Sequence, residues 1–353
     1  MVNPSHVSLK AALRCCGLLL ALLVAPASHG CTIPVFRYAL DRWETDVFEM
    51  VLPKAVAQQQ EVRELLRPLR ANGAANLQVK ESDDASLTAP TLRFPLRPDT
   101  VWSGALTSQS LHELLESPAR QEIIRRTLAG ESVVWIVVDD GGKEAGEKVD
   151  HLKKRLAFLE QAAALPPQDP DDPDSQLGPG PPLLLKFGLL RLGLNDPAEQ
   201  ATIKMLAGPT GAGIEPGKPF AAVMFGRGRV LGAWPLEEVT DTVLEDASMF
   251  LIGRCSCRIK NENPGWDVLL NIDWTEELPK VREGTSKFIA AASSVAPAKP
   301  TPTPAPQPKP VETVVLQPNT IEAAVPAEGG NMLVILPAAL LILAGLWLWR
   351  GRR

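Results

Sequence analysis

Between residues 32 and 290 the chain alternates short apolar runs with longer amphipathic stretches. Residues 47–52 read as a strand, and residues 54–69 as a helix with Val56, Val62, Leu65, Leu66 and Leu69 on one stripe. A short strand at 77–80 and weaker extended pieces over 93–102, broken by Pro95 and Pro98, come next. Residues 110–128 then give a helix whose inner face is Leu111, Leu114, Leu115, Ile123, Ile124 and Leu128. The pattern restarts at residues 132–138 (SVVWIVV), an unbroken apolar run expected of a central strand covered on both faces. A helix over 143–164 follows, apolar at Val149, Leu152, Leu156 and Leu159. Residues 165–182 are rich in proline and aspartate and predict a surface loop. After it come a strand in 183–192, a helix over 196–206 opened by Asp196-Pro197, a hairpin over 219–234 turning at Gly226-Arg227-Gly228, and a helix over 236–251.

The ends of the chain have a different pattern. Lys10 and Arg14 precede the apolar run 17–25, and small residues follow at Ala25, Ala27, Ser28 and Gly30, so residues 1–30 read as an export signal. Two readings of its processing stand together. Cleavage can follow Ala25-Pro26-Ala27, or Ser28-His29-Gly30-Cys31 can serve as a lipobox that makes Cys31 a lipidated first residue, although Ser28 replaces the leucine of that pattern. Residues 332–349 are uncharged and apolar, and at ~1.5 Å per residue they reach about 27 Å, a transmembrane helix. Trp347 and Trp349 suit the interface, and residues 350–353, with Arg350, Arg352 and Arg353, suit a cytoplasmic tail. Seven prolines between Pro297 and Pro310 make residues 291–330 a semi-rigid stalk. The expected arrangement is a single-pass protein of the cell membrane, its body extracytoplasmic and its C-terminus cytoplasmic.

Composition narrows the chemistry. The chain has 353 residues, with 36 Lys+Arg against 41 Asp+Glu and a net charge of -5, which argues against a nucleic-acid partner. Only four histidines are present, and His112 and His151, the two in the body, lack metal-ligand spacing. Neither a metal nor a cofactor is expected. Residues 212–219 miss a phosphate loop, because the first glycine is absent and Pro219 stands where Ser or Thr must hold magnesium. The glycines around Arg227 and Arg229 are explained by a tight hairpin more simply than by an anion site. No G-x-S-x-G is present.

The order strand, helix, strand, helix, hairpin, helix over 131–290 resembles the thioredoxin-like arrangement, and residues 31–130 resemble a degraded copy preceded by an N-terminal strap. The fold class expected is therefore α/β, with tandem thioredoxin-like domains and a C-terminal transmembrane helix. Redox members of that family carry C-x-x-C where the first strand meets its helix, and the helix N-terminus there lowers a thiol pKa. The corresponding residues are Leu52-Pro53-Lys54-Ala55 and Asp139-Asp140-Gly141-Gly142, without cysteine, so disulfide exchange at that corner is excluded. Cys255 and Cys257 form the one cysteine pair of the body, beside Arg254, Arg258 and Lys260. They read either as a structural disulfide or sheltered thiols, or as a redox pair favoured by the cations. Phe36, Arg37, Tyr38, Arg42 and Trp43 form an aromatic and basic cluster, which fits a partner-binding segment or a strap packed on the body.

Three motifs carry a closer resemblance. Residues 34–43 (PVFRYALDRW), residues 225–231 (FGRGRVL) and residues 255–270, from Cys255-Ser256-Cys257 to Asp267-Val268-Leu269-Leu270, are similar to a poorly characterised family of exported bacterial proteins. That resemblance implies a thioredoxin-like, envelope-associated protein and supplies no reaction. The function expected is a membrane-tethered binding or scaffold protein acting on an envelope or membrane protein partner. The alternative is a thiol redox or redox-sensing role through Cys255 and Cys257.

Overall fold

A computed structural model describes residues 32–169, 171–254 and 259–289. Cys31, the Cys255–Cys257 pair, the signal segment, the stalk and the apolar segment 332–349 lie outside the described residues. Among the described residues no helix is long and apolar enough to cross a membrane.

The first half contains α1 (Val35–Arg42), β1 (Phe48–Pro53), α2 (Lys54–Ala57), α3 (Gln60–Asn72), β2 (Leu77–Ser82), β3 (Thr91–Arg93), β4 (Thr100–Ser103), α4 (Ser108–Leu115) and α5 (Pro118–Leu128). Two helices expected to be continuous are split. Gln58 and Gln59 separate α2 from α3, and Gln59 leaves helical geometry at ψ 131°. Ser117 starts α5 afresh: it has extended ψ, its hydroxyl accepts from Arg120 N, and Pro118 takes the first helical position, where its missing N–H costs nothing.

The second half contains β5 (Val133–Asp139), α6 (Lys143–Ala162), β6 (Phe187–Gly193), α7 (Gln200–Ala207), β7 (Phe220–Phe225), β8 (Arg229–Pro235), α8 (Asp241–Ile252), β9 (Trp266–Asp267) and α9 (Trp274–Glu283). All seven residues of β5 are buried, as its unbroken apolar run predicts. Asp196 accepts from Ala198 N at the start signal, opening a short turn that leads into α7. The two-residue β9 and α9, which contains Pro279, have no counterpart in the sequence expectation.

The molecule is therefore mixed α/β with two sheets. The first has the order β2-β1-β3-β4 and the second β6-β5-β7-β8-β9. In each sheet the first pair in the chain is parallel, β1 with β2 and β5 with β6, and the later strands are antiparallel. Alternate residues of β5 serve different layers. Val134, Ile136 and Val138 join Phe48, Met50 and Leu52 of β1 in a core shared by both sheets, together with α4, α5 and α7. Val133, Trp135 and Val137 enter a second core with α6, α8 and α1. The N-terminal strap is thus helical, and it packs on the second sheet. Each large apolar side chain so buried contributes about 1.5–3 kcal/mol.

A buried arginine ties the halves together. Arg120 on α5 donates to Leu269 O at 2.8 Å, to Leu114 O at 2.7 Å and to Thr202 Oγ1 at 3.0 Å. Burial lowers its pKa to about 10, and it stays charged beside Glu199. Glu199 in turn accepts from Ser117 Oγ and Ala119 N, capping α5 from the second half.

On the same helix, Glu122 accepts from Arg125 at 2.6 Å and from Arg126 at 2.7 Å. The Arg125 bond first, and Arg126 with it, lowers the Glu122 pKa from 4.5 to about 2. A carboxylate with a depressed folded-state pKa stabilises above its unfolded value and loses that contribution as pH falls through the folded one. The group is partly exposed, so solvent screening reduces the effect to about 1 kcal/mol. Urea midpoints of wild type and E122Q should accordingly differ at pH 7 and converge as pH falls from 4.5 towards 2. A constant difference across that window would contradict the assignment.

Candidate functional site

The three motif segments meet. Gly226-Arg227-Gly228 turns β7 into β8 with φ of 58° at Gly226 and 98° at Gly228, conformations that favour glycine. Space demands glycine as well: a Cβ on Gly226 would stand 2.7 Å from Ala39 Cβ, and one on Gly228 would stand 2.6 Å from Leu270 Cδ1. The turn can therefore lie directly against α1. Arg227 Nε donates to Leu40 O at 2.8 Å and Arg227 Nη2 to Asp41 O at 3.2 Å, satisfying carbonyls at the end of α1.

Beside the turn, Arg229 and Asp267 form a buried ion pair at 3.1 Å. Lys260 Nζ lies 2.6 Å from the other Asp267 oxygen and 2.8 Å from Asp46, and Asp46 N donates to Asp267 at 2.7 Å. Burial raises the Asp267 pKa, and Lys260 works against that rise. Arg229 also donates to the carbonyls of Asn263, Pro264 and Gly265, fixing the turn that leads into β9. Its guanidinium carbon sits 5.8 Å from the Trp43 ring centre. The free space here is about 10 Å³, too little for any ligand. The junction of the motifs is a structural lock.

The aromatic and basic cluster belongs to that lock. Phe36, Arg37, Tyr38 and Trp43 are buried, and Arg42 is the exposed member. Arg37 pairs with Asp41 at 2.8 Å and donates to the carbonyls of Gly178 and Pro181, while Gly178 N donates to Asp41. The loop over 165–182 is accordingly a clasp over α1, held further by Thr32 N donating to Ser175 Oγ at 3.1 Å. The described flanks of the Cys255–Cys257 segment are fixed to the same helix: Pro34 bridges Arg254, and Val35 N donates to Gly253 O at 3.0 Å.

An open site lies elsewhere, at the C-terminal end of β5. Residues Asp139-Asp140-Gly141-Gly142 join β5 to α6, and the Asp139 carboxylate is held by two bonds of 2.7 Å from Arg191 and one of 2.6 Å from Gly141 N. Burial opposes ionisation of Asp139, but the Arg191 bonds outweigh it and hold the pKa below its usual value. Next to this corner is a cavity of about 830 Å³ whose walls include Asp140, Lys148, His151, Pro219, Leu236 and Glu237. His151 Nε2 lies 2.6 Å from Asp241 Oδ1, and that bond lowers the Asp241 pKa. Helices α6 and α7 take opposite sides of the sheet, so the cavity sits where α/β sheets generally receive ligands, beyond the carboxyl ends of strands at a switch point. Sequence reading locates the corner but not His151 with Asp241, which are 90 positions apart and share no local signal. Among the described residues, no group of three or more His, Cys, Asp or Glu side chains is placed to hold a metal.

Arg229→Ala leaves Asp267 buried with fewer donors and frees three carbonyls, a loss of about 3 kcal/mol. Arg229→Lys should rescue little, because one ammonium cannot replace a fork that reaches a carboxylate and three carbonyls. Guanidinium midpoints of both variants test this, and a near-wild-type lysine variant would show that charge alone suffices. Comparison of the chain with protein-family models, with curated proteins and with solved structures finds no match.

Proposed function

We propose that the protein is a membrane-tethered, extracytoplasmic binding or scaffold protein with two thioredoxin-like halves, taking its partner in the cavity beyond β5. The observation that carries this reading is that cavity, open beside the corner where a thioredoxin-like fold does its chemistry but lined by charged side chains such as Asp140, which accepts from Gly142 N, the Lys143–Glu147 pair and His151 paired with Asp241, in place of thiols. The tandem assignment is supported by the shared strand order, a parallel pair followed by an antiparallel hairpin, in β2-β1-β3-β4 and β6-β5-β7-β8. The first half departs from the pattern between β2 and β3, where residues 83–90 contain no helix. Tethering is supported by the apolar run 332–349 and its basic flank.

The competing redox reading rests on Cys255 and Cys257, whose neighbours Arg254 and Lys260 are cationic. One experiment separates the two. A photo-crosslinking residue at Lys148 or Glu237 should trap a defined envelope protein in cells, and the same residue at exposed Glu283 should not. The C255S/C257S double variant should trap the same partner with unchanged yield. Equal trapping at all three positions would sink the cavity as the binding site. Loss of a measurable thiol–disulfide exchange activity in the double variant would favour the redox role.

Tethering has its own test. The full chain should resist alkaline carbonate extraction from membranes, and a chain ending at residue 331 should be released. Retention of the shortened chain would move the anchor to the N-terminal side, where mass spectrometry of the mature N-terminus detects a lipid on Cys31.

A further inference from the structure

Helix α3 presents Arg63, Arg67 and Arg70 at i, i+4 and i+7. At ~100° per residue these positions fall within about 60° of arc and span about 10 Å of helix axis. Val62 and Leu66 turn towards the core, while all three arginines are exposed. With Gln60, Glu64 and Ala71 the arginines line a surface cavity of about 520 Å³. The one carboxylate on this lining is engaged locally, because Gln60 Nε2 donates to Glu64 Oε1 at 3.0 Å.

Single exposed arginines such as Arg97 and Arg282 also have no ion pair among the described residues, but here three exposed cations stand in one row, whereas many other arginines are paired. Arg125 and Arg126 share Glu122, Arg155 pairs with Glu245, Arg191 with Asp139 and Arg229 with Asp267. Arg63 and Arg67 have no ion pair among the described residues, and Arg70 reaches only Glu81, at 3.5 Å. Like charges at i and i+4 cost a few tenths of a kcal/mol each, and here that cost is left in place on a protein whose net charge is -5. An occupant bringing carboxylates removes the repulsion and gains forked, bidentate bonds.

We propose that this face of α3 docks an acidic helical segment of a protein partner, one that presents carboxylates at the same i, i+4, i+7 spacing. A helix matches the roughly 10 Å rise of the arginine row, and its side chains enter the concave surface between Gln60 and Ala71. This is a second contact surface, separate from the cavity beyond β5.

The test uses the full chain in neutral detergent and two fluorescent, alanine-rich peptides of equal composition. One carries glutamates in the matching register, and the other spreads them around the helix. By anisotropy at low salt, the matched peptide should bind wild type at least tenfold more tightly than it binds R63Q/R67Q/R70Q. The triple lysine variant should fall between them, since charge remains without the fork. Circular dichroism confirms that each variant is folded. Equal binding of the two peptides, or unchanged binding by the glutamine variant, overturns the proposal. So does arginine-dependent binding to phosphatidylglycerol vesicles without binding to the peptide, which would make the face a lipid contact.

Discussion

The buried carboxylate of Asp267 is the constraint on which the rest of the body depends. It is reached by Arg229 from the hairpin, by Lys260 from the chain after α8, and by the N–H of Asp46 from the segment entering β1. Three distant stretches are thereby fixed at one point. The next residues, Val268, Leu269 and Leu270, are buried between the halves, where Leu269 O meets Arg120 and Leu270 N meets Asn76. A polar anchor of this kind contributes modestly to net stability and strongly to register, because each partner that is displaced leaves a charge or carbonyl unpaired in the interior.

This arrangement accounts for why the motifs are what they are. Glycines at 226 and 228 permit close approach to α1 and Leu270, Arg227 completes the end of α1, and Arg229 shapes the turn around Pro264. A motif in a sequence commonly suggests chemistry; here the residues are consumed in holding one another. Open, polar surfaces lie away from this lock, among them the cavity beyond β5 and the arginine face of α3.

Much of the architecture is legible from periodicity. The run over residues 132–138 reads as a doubly covered strand, and Gly-Arg-Gly between apolar alternations reads as a tight turn, and both form. Legibility fails where tertiary contacts decide. The split at Ser117-Pro118 is written in the sequence as a cap and a first-turn proline, but the helical stripe on either side conceals it. Trp266 and Asp267 form a strand too short for any period to reveal. The proline- and aspartate-rich stretch reads correctly as a loop, yet its task of covering α1 depends on backbone carbonyls meeting Arg37, which no local pattern encodes. Buried Tyr38 and Trp43 look like interface residues for the same reason: composition cannot distinguish a surface for another molecule from a surface for the chain's own loop.

The placement of α1 also bears on the order of events in folding. Its contacts are with Gly178 and Pro181, with Arg227, and with Gly253, so the earliest helix of the body closes loops of roughly 140 to 220 residues. Such long closures come late and slowly. A chain emerging N-terminus first leaves Phe36, Tyr38 and Trp43 without a home until α8 has appeared. During that interval an apolar segment is exposed to any holding factor in the compartment, and the speed with which α8 and the clasp follow sets the window for aggregation.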